Sequence, residues 1–234
     1  MSPSAQASSR PAGAAGAATK VAGSIRSQIV EGSLTPGVRL PEERVRAELG
    51  VSRSSLREGF QLLIRERLLV HQLSRGFFVR ELSRGDISDL YAVRRVMECG
   101  ALREVVTLQP QQLRDLTQPI VEGRAAADEG NWHAVAAASI RFHEQLVALA
   151  GSARLNTLMS QVLAEFRLSY AYMSDPMSFH APFLERHQEL AERIRSGEVD
   201  QAVQLLESYL RDAEAALLQR YSEIEGQTKQ RRRA

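Results

Sequence analysis

A tight junction between two predicted helices, near residue 50, constrains this chain more than any other feature. A helix is predicted over Pro41–Leu49, and Gly50 ends it. Ser52 is a good N-cap, because its hydroxyl can accept a hydrogen bond from an amide at the start of the next helix. That helix is predicted over Arg53–Glu66. Two helices joined by so short a turn are typical of a helix-turn-helix motif.

The segments on either side extend this motif into a small domain. Apolar residues recur at helical spacing over Val21–Val30, which predicts a preceding helix. Two extended runs follow the motif, Leu68–Gln72 and Phe77–Leu82, and Ser74–Gly76 turns between them. Three helices followed by a hairpin predict a winged helix-turn-helix domain over residues 19–82.

The charge of the chain changes sign between two long segments. Residues 19–82 hold 11 Lys and Arg against 7 Asp and Glu, whereas residues 83–225 hold 14 against 21. The basic segment is therefore the candidate for a polyanionic partner.

Arg53 and Arg57 share one face of the second motif helix, on the turns where a recognition helix meets base edges. Arginine can bind guanine through two hydrogen bonds, and the alternative is a merely solvated arginine face.

These residues resemble the DNA-binding domain of GntR-family transcription regulators. The matching runs are Ile29–Leu40, Glu48–Glu58, Leu62–Val70 and Arg75–Val79. The resemblance implies that Arg53 and Arg57 read bases of double-stranded DNA and that Gly76 is the glycine at the wing tip. The candidate DNA-binding residues are Arg44, Ser52, Arg53, Ser54, Arg57, Arg75 and Gly76.

Three residues depart from the family pattern in this domain. Glu43 stands where many members have arginine, although Arg44 follows it, and Arg46 stands where a small apolar residue is usual. Gly59 replaces an alanine in the second motif helix, where glycine costs about 1 kcal/mol. The departures predict an unusual target sequence.

Helical periodicity dominates the chain from Asp86 onward, and strand signals vanish. Six helices are predicted, over residues 86–107, 110–128, 131–149, 153–173, 179–196 and 198–222. They form a compact bundle over residues 83–225, and the interior of such a bundle can hold a ligand. The predicted fold class is therefore mainly α, with a winged helix-turn-helix followed by an all-α six-helix bundle.

The second half resembles the FCD ligand-sensing domain of the FadR subfamily of GntR regulators. The resemblance is carried by Tyr91–Arg94, Glu98, Arg141–His143, Ala150–Gly151, Glu185–His187, Gly197–Asp200 and Ala202. It implies a domain that binds a small-molecule effector. The acidic bundle is also the predicted platform for a homodimer, because the basic domain must stay free for a pseudo-palindromic operator.

Many FCD domains bind a divalent metal through one aspartate and three histidines. His143 and His187 match two of these positions, whereas Ser139 and Tyr209 occupy the other two. Serine is a poor ligand for ions such as Zn²⁺, and two histidines alone seldom hold a metal tightly. No cofactor is therefore expected to be required, and His143 and His187 are the ligands if a metal binds.

The expected effector is a small organic acid. In the family, an arginine at the position of Arg94 often reaches a ligand carboxylate, which suits the guanidinium group. A buried arginine with two histidines and no acid is costly, so an anionic ligand would supply the missing charge. The alternative for Arg94 is an ion pair with Glu98, four residues on. The candidate effector-binding residues are Tyr91, Arg94, Ser139, His143, His187 and Tyr209.

Two classes of function follow from these patterns. One is a ligand-responsive transcription regulator, expected to be a repressor; the other is a helical-bundle enzyme that acts on a small acid through His143, His187 and Glu144. The chain has no phosphate-binding glycine loop, dinucleotide fingerprint or nucleophile elbow, so no enzyme is expected.

The terminal segments and the overall composition predict a cytoplasmic protein. Residues 1–18 and the basic tail 226–234 are predicted to be disordered, because they hold too few apolar residues to offset ordering entropy. No stretch approaches the roughly 18 apolar residues of a transmembrane helix, and the N-terminus lacks the apolar core of a signal peptide. The chain has one cysteine, which excludes a disulfide framework and fits a reducing compartment.

Overall fold

The computed structural model describes residues 12–105, 107–173 and 175–231. Contacts divide the chain into two compact units. The first unit contains the residues up to 29 together with residues 33–80, and the second contains residues 30–32 together with those from 81 onward.

The first unit is a winged helix-turn-helix fold, which confirms the predicted architecture. Its helices are α1 (Ala12–Glu31), α2 (Glu42–Leu49) and α3 (Arg53–Arg65), and its strands are β1 (Arg39–Leu40), β2 (Leu69–Gln72) and β3 (Gly76–Val79). The strands form an antiparallel sheet with β3 in the centre, between β1 and β2. The sequence does not predict β1, which pairs Leu40 with Phe77.

The junction between α2 and α3 forms as its local signals predict. Gly50 adopts the left-handed conformation, with φ of 64°, and its N–H donates to the Arg46 carbonyl at the end of α2. Ser52 begins α3, because its Oγ accepts a hydrogen bond from the Ser55 amide at 3.1 Å. Each end of the turn therefore satisfies a backbone group that the helix alone leaves unpaired.

The prediction of disorder is wrong for residues 12–18 and 226–231. Residues 12–18 begin α1, because alanine has the highest helix propensity and Ala18 is buried in the core. Residues 226–231 continue the last helix, since this polar stretch contains no proline to stop it. Residues 1–11 and 232–234 of the two predicted segments lie outside the described residues.

Within the described part of the chain, the second unit is a bundle of six α-helices, as predicted. They are α4 (Arg84–Arg103), α5 (Pro110–Asp128), α6 (Trp132–Ala148), α7 (Ala153–Arg167), α8 (Pro176–Arg195) and α9 (Val199–Arg231). A 3-10 turn, Leu168–Tyr172, follows α7 directly. Because α6 packs against α4, α5, α7 and α8, its inward residues lie at the centre of the bundle.

The last helix, α9, contains 33 residues and packs along α4 and α8. Leu206, Leu210, Ala213 and Leu217 recur at helical spacing and are buried, so one face of α9 belongs to the core. Despite its length it is an amphipathic helix. No helix in residues 12–105, 107–173 and 175–231 combines the length and the apolarity that crossing a membrane requires.

Gly59 lies where α3 meets α1 at very close range. A Cβ atom at this position would lie 2.6 Å from the Cβ of Val21 and 2.9 Å from the carbonyl oxygen of Ala18. Contacts this short do not occur between such atoms, so the packing of the two helices requires glycine. The departure of Gly59 from the family's alanine is therefore explained by core packing rather than by the DNA target.

We expect Gly59→Ala to lower the free energy of unfolding of the first unit by about 1–3 kcal/mol, the usual cost of overpacking a core. Urea unfolding monitored by circular dichroism measures this change. Gly23→Ala on α1 is the matched control, because a Cβ there meets no atom within 4 Å. The control should raise stability by up to about 1 kcal/mol through helix propensity. Two variants that are equally stable would contradict the close contact.

Candidate nucleic-acid interface and buried polar site

The predicted base-reading arginines lie on the exposed face of α3. Arg53 is exposed and forms no ion pair with another described residue, whereas the Nε of Arg57 lies 3.2 Å from Oε2 of Glu42. Ser52 and Ser54 are also exposed at the start of this helix, with their hydroxyl oxygens 2.9 Å apart. The structure therefore brings these four predicted residues onto one solvent-facing surface.

Exposed ion pairs also cover α2. Arg44, another predicted DNA contact, lies 2.7 Å from the carboxylate of Glu48. The two departures from the family pattern on this helix pair with each other, since Arg46 Nη2 lies 2.9 Å from Glu43 Oε2. Exposed pairs of this kind contribute about 0–1 kcal/mol each, so phosphate groups can compete for their arginines.

The hairpin wing presents the remaining predicted residues. Arg75 is exposed, with its guanidinium 5.5 Å from the centre of the Phe78 ring. Gly76 has φ of 98°, a conformation that favours glycine. Leu73 at the same turn is 87% exposed. Contact of any of these residues with DNA stays a prediction.

The predicted effector residues come together in the interior of the second unit. All six are buried, and they lie on α4, α6, α8 and α9: Tyr91, Arg94, Ser139, His143, His187 and Tyr209. We call this group, together with Glu98, the buried polar site. The side chains meet because each of the four helices turns the relevant residue toward the interior of the bundle.

Glu98 on α4 lies at the centre of the buried polar site and is fully buried. The Nε of Arg94 donates to Glu98 Oε1 at 2.7 Å, and the Nδ1 of His143 lies 2.6 Å from Glu98 Oε2. Burial alone would raise the pKa of Glu98, but Arg94 and His143 outweigh it and hold the pKa below its usual value. Burial lowers the pKa of His143 despite the neighbouring carboxylate. An ionised Glu98 therefore accepts a hydrogen bond from the Nδ1–H group of a neutral imidazole.

The hydrogen bonds continue from His143 to two further helices. The hydroxyl of Tyr209 lies 3.2 Å from Nε2 of His143 and 3.0 Å from Nε2 of His187. Because Nδ1 of His143 carries the proton, its Nε2 accepts from Tyr209, and His187 donates to the Tyr209 oxygen. Ser139 acts on Tyr209 and Tyr170, because its side chain lowers the pKa of both phenols against the effect of burial.

The expectation that the cluster lacks an acid is wrong. Glu98 supplies the negative charge, in the pair with Arg94 that the spacing of four residues offered as an alternative. Such pairs on helices usually lie on the surface, and the sequence pattern does not show that this one is buried. Glu98 is thus a residue of the site that the prediction left out.

Arg94 retains one unsatisfied donor. Its guanidinium lies between the rings of Tyr91 and Phe166, 5.2 and 4.6 Å from their centres. Its Nη2 is buried and has no hydrogen-bond partner among the described residues. A buried donor without an acceptor lowers the stability of the fold by about 1–3 kcal/mol. A ligand that brings an acceptor to Nη2 would remove this cost.

Two phenylalanines on the border of the buried polar site were not predicted. Phe166 stacks on Arg94, and the ring of Phe142 lies 4.4 Å from that of His187, centre to centre. No sequence signal separates them from other core phenylalanines. Glu144, the third residue of the enzyme alternative, forms no hydrogen bond or ion pair with the residues of the buried polar site, and burial raises its pKa.

The donor atoms of the buried polar site do not fit a divalent metal. The Nε2 atoms of His143 and His187 converge on the hydroxyl of Tyr209, where burial raises the pKa so that the oxygen keeps its proton. Both oxygens of Glu98 are already engaged. No group of three or more His, Cys, Asp or Glu in the described residues is arranged to hold a metal ion. That no cofactor is required stays a prediction.

We expect Glu98→Gln to lower the free energy of unfolding by about 3–5 kcal/mol, because it leaves the buried Arg94 without a negative partner. Thermal and urea unfolding of the full chain measure this loss. Glu189→Gln is the matched control, since Glu189 also pairs with an arginine four residues away but in solvent. The control should cost no more than about 0.5 kcal/mol. Similar losses in both variants would contradict the central role of Glu98.

Comparison with family models matches both units. Residues 17–79 match the model of the bacterial regulatory proteins of the gntR family, and residues 89–212 match the FCD domain. The second match alone covers more than half of the chain.

Individual proteins agree with these matches. The crystal structure of a GntR transcriptional regulator from Rhodococcus sp. RHA1 is 39% identical, with a TM-score of 0.79 over 86% of this chain and 97% of that one. The uncharacterized HTH-type transcriptional regulator YdhC of Bacillus subtilis (strain 168) is 26% identical over 77% of this chain and 81% of that protein. The gluconate operon transcriptional repressor of the same organism is 28% identical over 55% of this chain and 53% of that protein. These relatives are regulators of transcription, which speaks against the enzyme alternative. The chain therefore belongs to the GntR family of bacterial regulatory proteins, as a transcription regulator with a helix-turn-helix DNA-binding domain and an FCD effector-binding domain of the FadR type.

Proposed function

We propose that this protein is a cytoplasmic homodimeric repressor whose binding to a pseudo-palindromic operator responds to a small organic acid. The observation that carries the effector part is the buried, unsatisfied Nη2 of Arg94 within the buried polar site. The repressor part is supported by the relative that represses a gluconate operon.

The DNA-binding part rests on the solvent-facing surface of α3 and the wing. Arg53 and Arg57 can each offer two N–H groups to guanine in the major groove. One such helix reads only a few base pairs, and a dimer makes the second contact intramolecular. A dimer through the second unit is supported by exposed apolar side chains, Val96 (76% exposed) on α4 and Leu158 (52%) on α7, two helices that pack together.

A carboxylate is the ligand group that best suits the buried polar site. Glu98 balances the charge of Arg94 but engages only Nε, which leaves Nη2 free to donate to a ligand oxygen. Hydroxyl groups of the same ligand would meet donors and acceptors on Ser139, His187 and Tyr209. The site spans α4, α6, α8 and α9, so a bound ligand can favour one arrangement of these helices over another.

We expect Arg57→Ala to weaken operator binding by about 1–3 kcal/mol and to remove the base preference at one position of each half-site. The full chain would first select its consensus DNA sequence from a pool of duplexes. Each duplex has a random core of about 30 bp, which is roughly three turns of B-DNA. Fluorescence anisotropy then gives the affinities, and light scattering should find two chains per duplex.

Arg53→Ala should behave in the same way at another position. Arg75→Ala serves as the comparison, because loss of a wing charge should weaken all duplexes alike and flatten the salt dependence. Unchanged affinity and preference in Arg57→Ala would show that α3 is not the reading helix.

We expect a small carboxylate to raise the melting temperature of the wild-type chain by mass action. The screen would include sugar acids such as gluconate, other small acids and divalent metals. The double variant Arg94→Met/Glu98→Gln removes the guanidinium without leaving a buried charge, and it should lose the shift. Arg95→Met, on the next residue of α4, is the control that should keep it.

An acid-induced shift that persists in Arg94→Met/Glu98→Gln would contradict the carboxylate contact. Metal analysis after purification without chelators tests the other premise. One tightly bound metal per chain, lost in His143→Ala, would overturn the metal-free site.

A further inference from the structure

Glu42 and Arg57 form an ion pair that crosses the helix-turn-helix junction. Glu42 is the first residue of α2, and Arg57 lies on the second turn of α3. They are 15 residues apart, and the junction brings Nε of Arg57 to 3.2 Å from Oε2 of Glu42. The pair is therefore a product of the motif's tertiary geometry and not of helical spacing.

Glu42 differs from the other acids of α2 in its surroundings. Its side chain is 27% exposed, against 73% for Glu43 and 57% for Glu48. Arg57 is 56% exposed. The carboxylate is thus the less exposed partner and the guanidinium the more exposed one. The acid therefore anchors an arginine that remains accessible to solvent.

The atom that Glu42 engages determines which edge of Arg57 remains available. A guanidinium has one N–H on Nε and two on each Nη. With Nε directed to Glu42, the edge formed by the two Nη atoms is the one left for another bidentate acceptor. The O6 and N7 atoms of guanine form such an acceptor pair in the major groove.

We propose that Glu42 is a positioning residue that orients Arg57 for selective recognition of guanine. The inference rests on the proposed reading of DNA by α3. The carboxylate has a second effect, because its negative charge repels phosphates and lowers affinity for every duplex. Glu42 therefore raises selectivity while it lowers non-specific binding, and these two effects separate it from an ordinary surface acid.

The test uses the full-length protein and duplexes chosen from the random-core pool. One duplex carries the consensus. In the second, the base that Arg57 reads is replaced; this base is the one at the position where Arg57→Ala removes the base preference. Glu42→Ala should reduce the discrimination between these duplexes about fivefold or more, a part of what a bidentate contact supplies. Glu42→Gln should keep discrimination within about twofold, because its amide oxygen still accepts from Nε, yet bind all duplexes more tightly.

Glu43→Ala is the matched control, since it removes the same charge from the next residue, whose partner is Arg46. It should strengthen binding to both duplexes equally and leave discrimination unchanged. The proposal is overturned if Glu42→Ala behaves like Glu43→Ala. The hydrogen bond is overturned as the orienting contact if Glu42→Gln loses as much discrimination as Glu42→Ala, because the charge of Glu42 would then orient Arg57.

Arg57→Ala separates failure of this proposal from failure of the proposed DNA reading. If Arg57→Ala changes neither affinity nor base preference, α3 does not read bases and both proposals fail. If Arg57→Ala removes the base preference at one position while Glu42→Ala leaves that preference unchanged, only the positioning role fails. In the Arg57→Ala background, Glu42→Ala should cause no further loss of discrimination. Melting curves of all variants confirm that the fold is retained.

Discussion

The interior of the second unit depends on one buried carboxylate. A fully buried charge is tolerated only when partners replace the water it has lost, and Glu98 has two, Arg94 and His143. Through its hydrogen bond with Nδ1, Glu98 fixes the tautomer of His143. Tyr209 must then donate to Nε2 of His143, and its oxygen accepts a hydrogen bond from Nε2 of His187. The orientation of polar groups on four helices thus follows from the ionisation of a single residue.

The same kind of ion pair has opposite consequences in the two units. Arg94–Glu98 is excluded from water, so breaking it leaves a charge that the interior cannot solvate. Arg57–Glu42 is partly exposed, so the guanidinium keeps an edge that a base can reach while its Nε stays with the acid. Burial therefore makes the first pair part of the fold, whereas exposure leaves the arginine of the second pair available to a partner.

The parts of the fold that the sequence predicts are those with local causes. Gly50 ends α2 and Ser52 begins α3 through backbone conformation and one hydrogen bond, and both causes are visible in the residues themselves. The six helices of the bundle follow in the same way from apolar spacing and glycine breaks. Strand β1 is only two residues long and exists because β3 lies beside it, so no local signal reports it.

The proximity of the predicted effector residues follows from the family resemblance, whereas the charge of their surroundings does not. Family resemblance named six residues, and the structure buries them close together in the bundle; their contact with a ligand stays a prediction. The role of Glu98 depends on how deeply α4 is buried, which is a property of the packed bundle and not of the spacing between two residues. Residues 12–18 illustrate the same limit, since low apolar content argued for disorder while packing of Ala18 against α3 favours helix.

The contact at Gly59 sets a mechanical property of the recognition helix. The distance between α1 and α3 at this point is fixed by the carbonyl oxygen of Ala18 and by Cβ of Val21, neither of which moves when a side chain changes rotamer. Most other helix contacts are made by longer side chains, which have alternative rotamers. Here no compliant layer separates the two helices, so a displacement of α1 at Ala18 and Val21 must carry α3 with it.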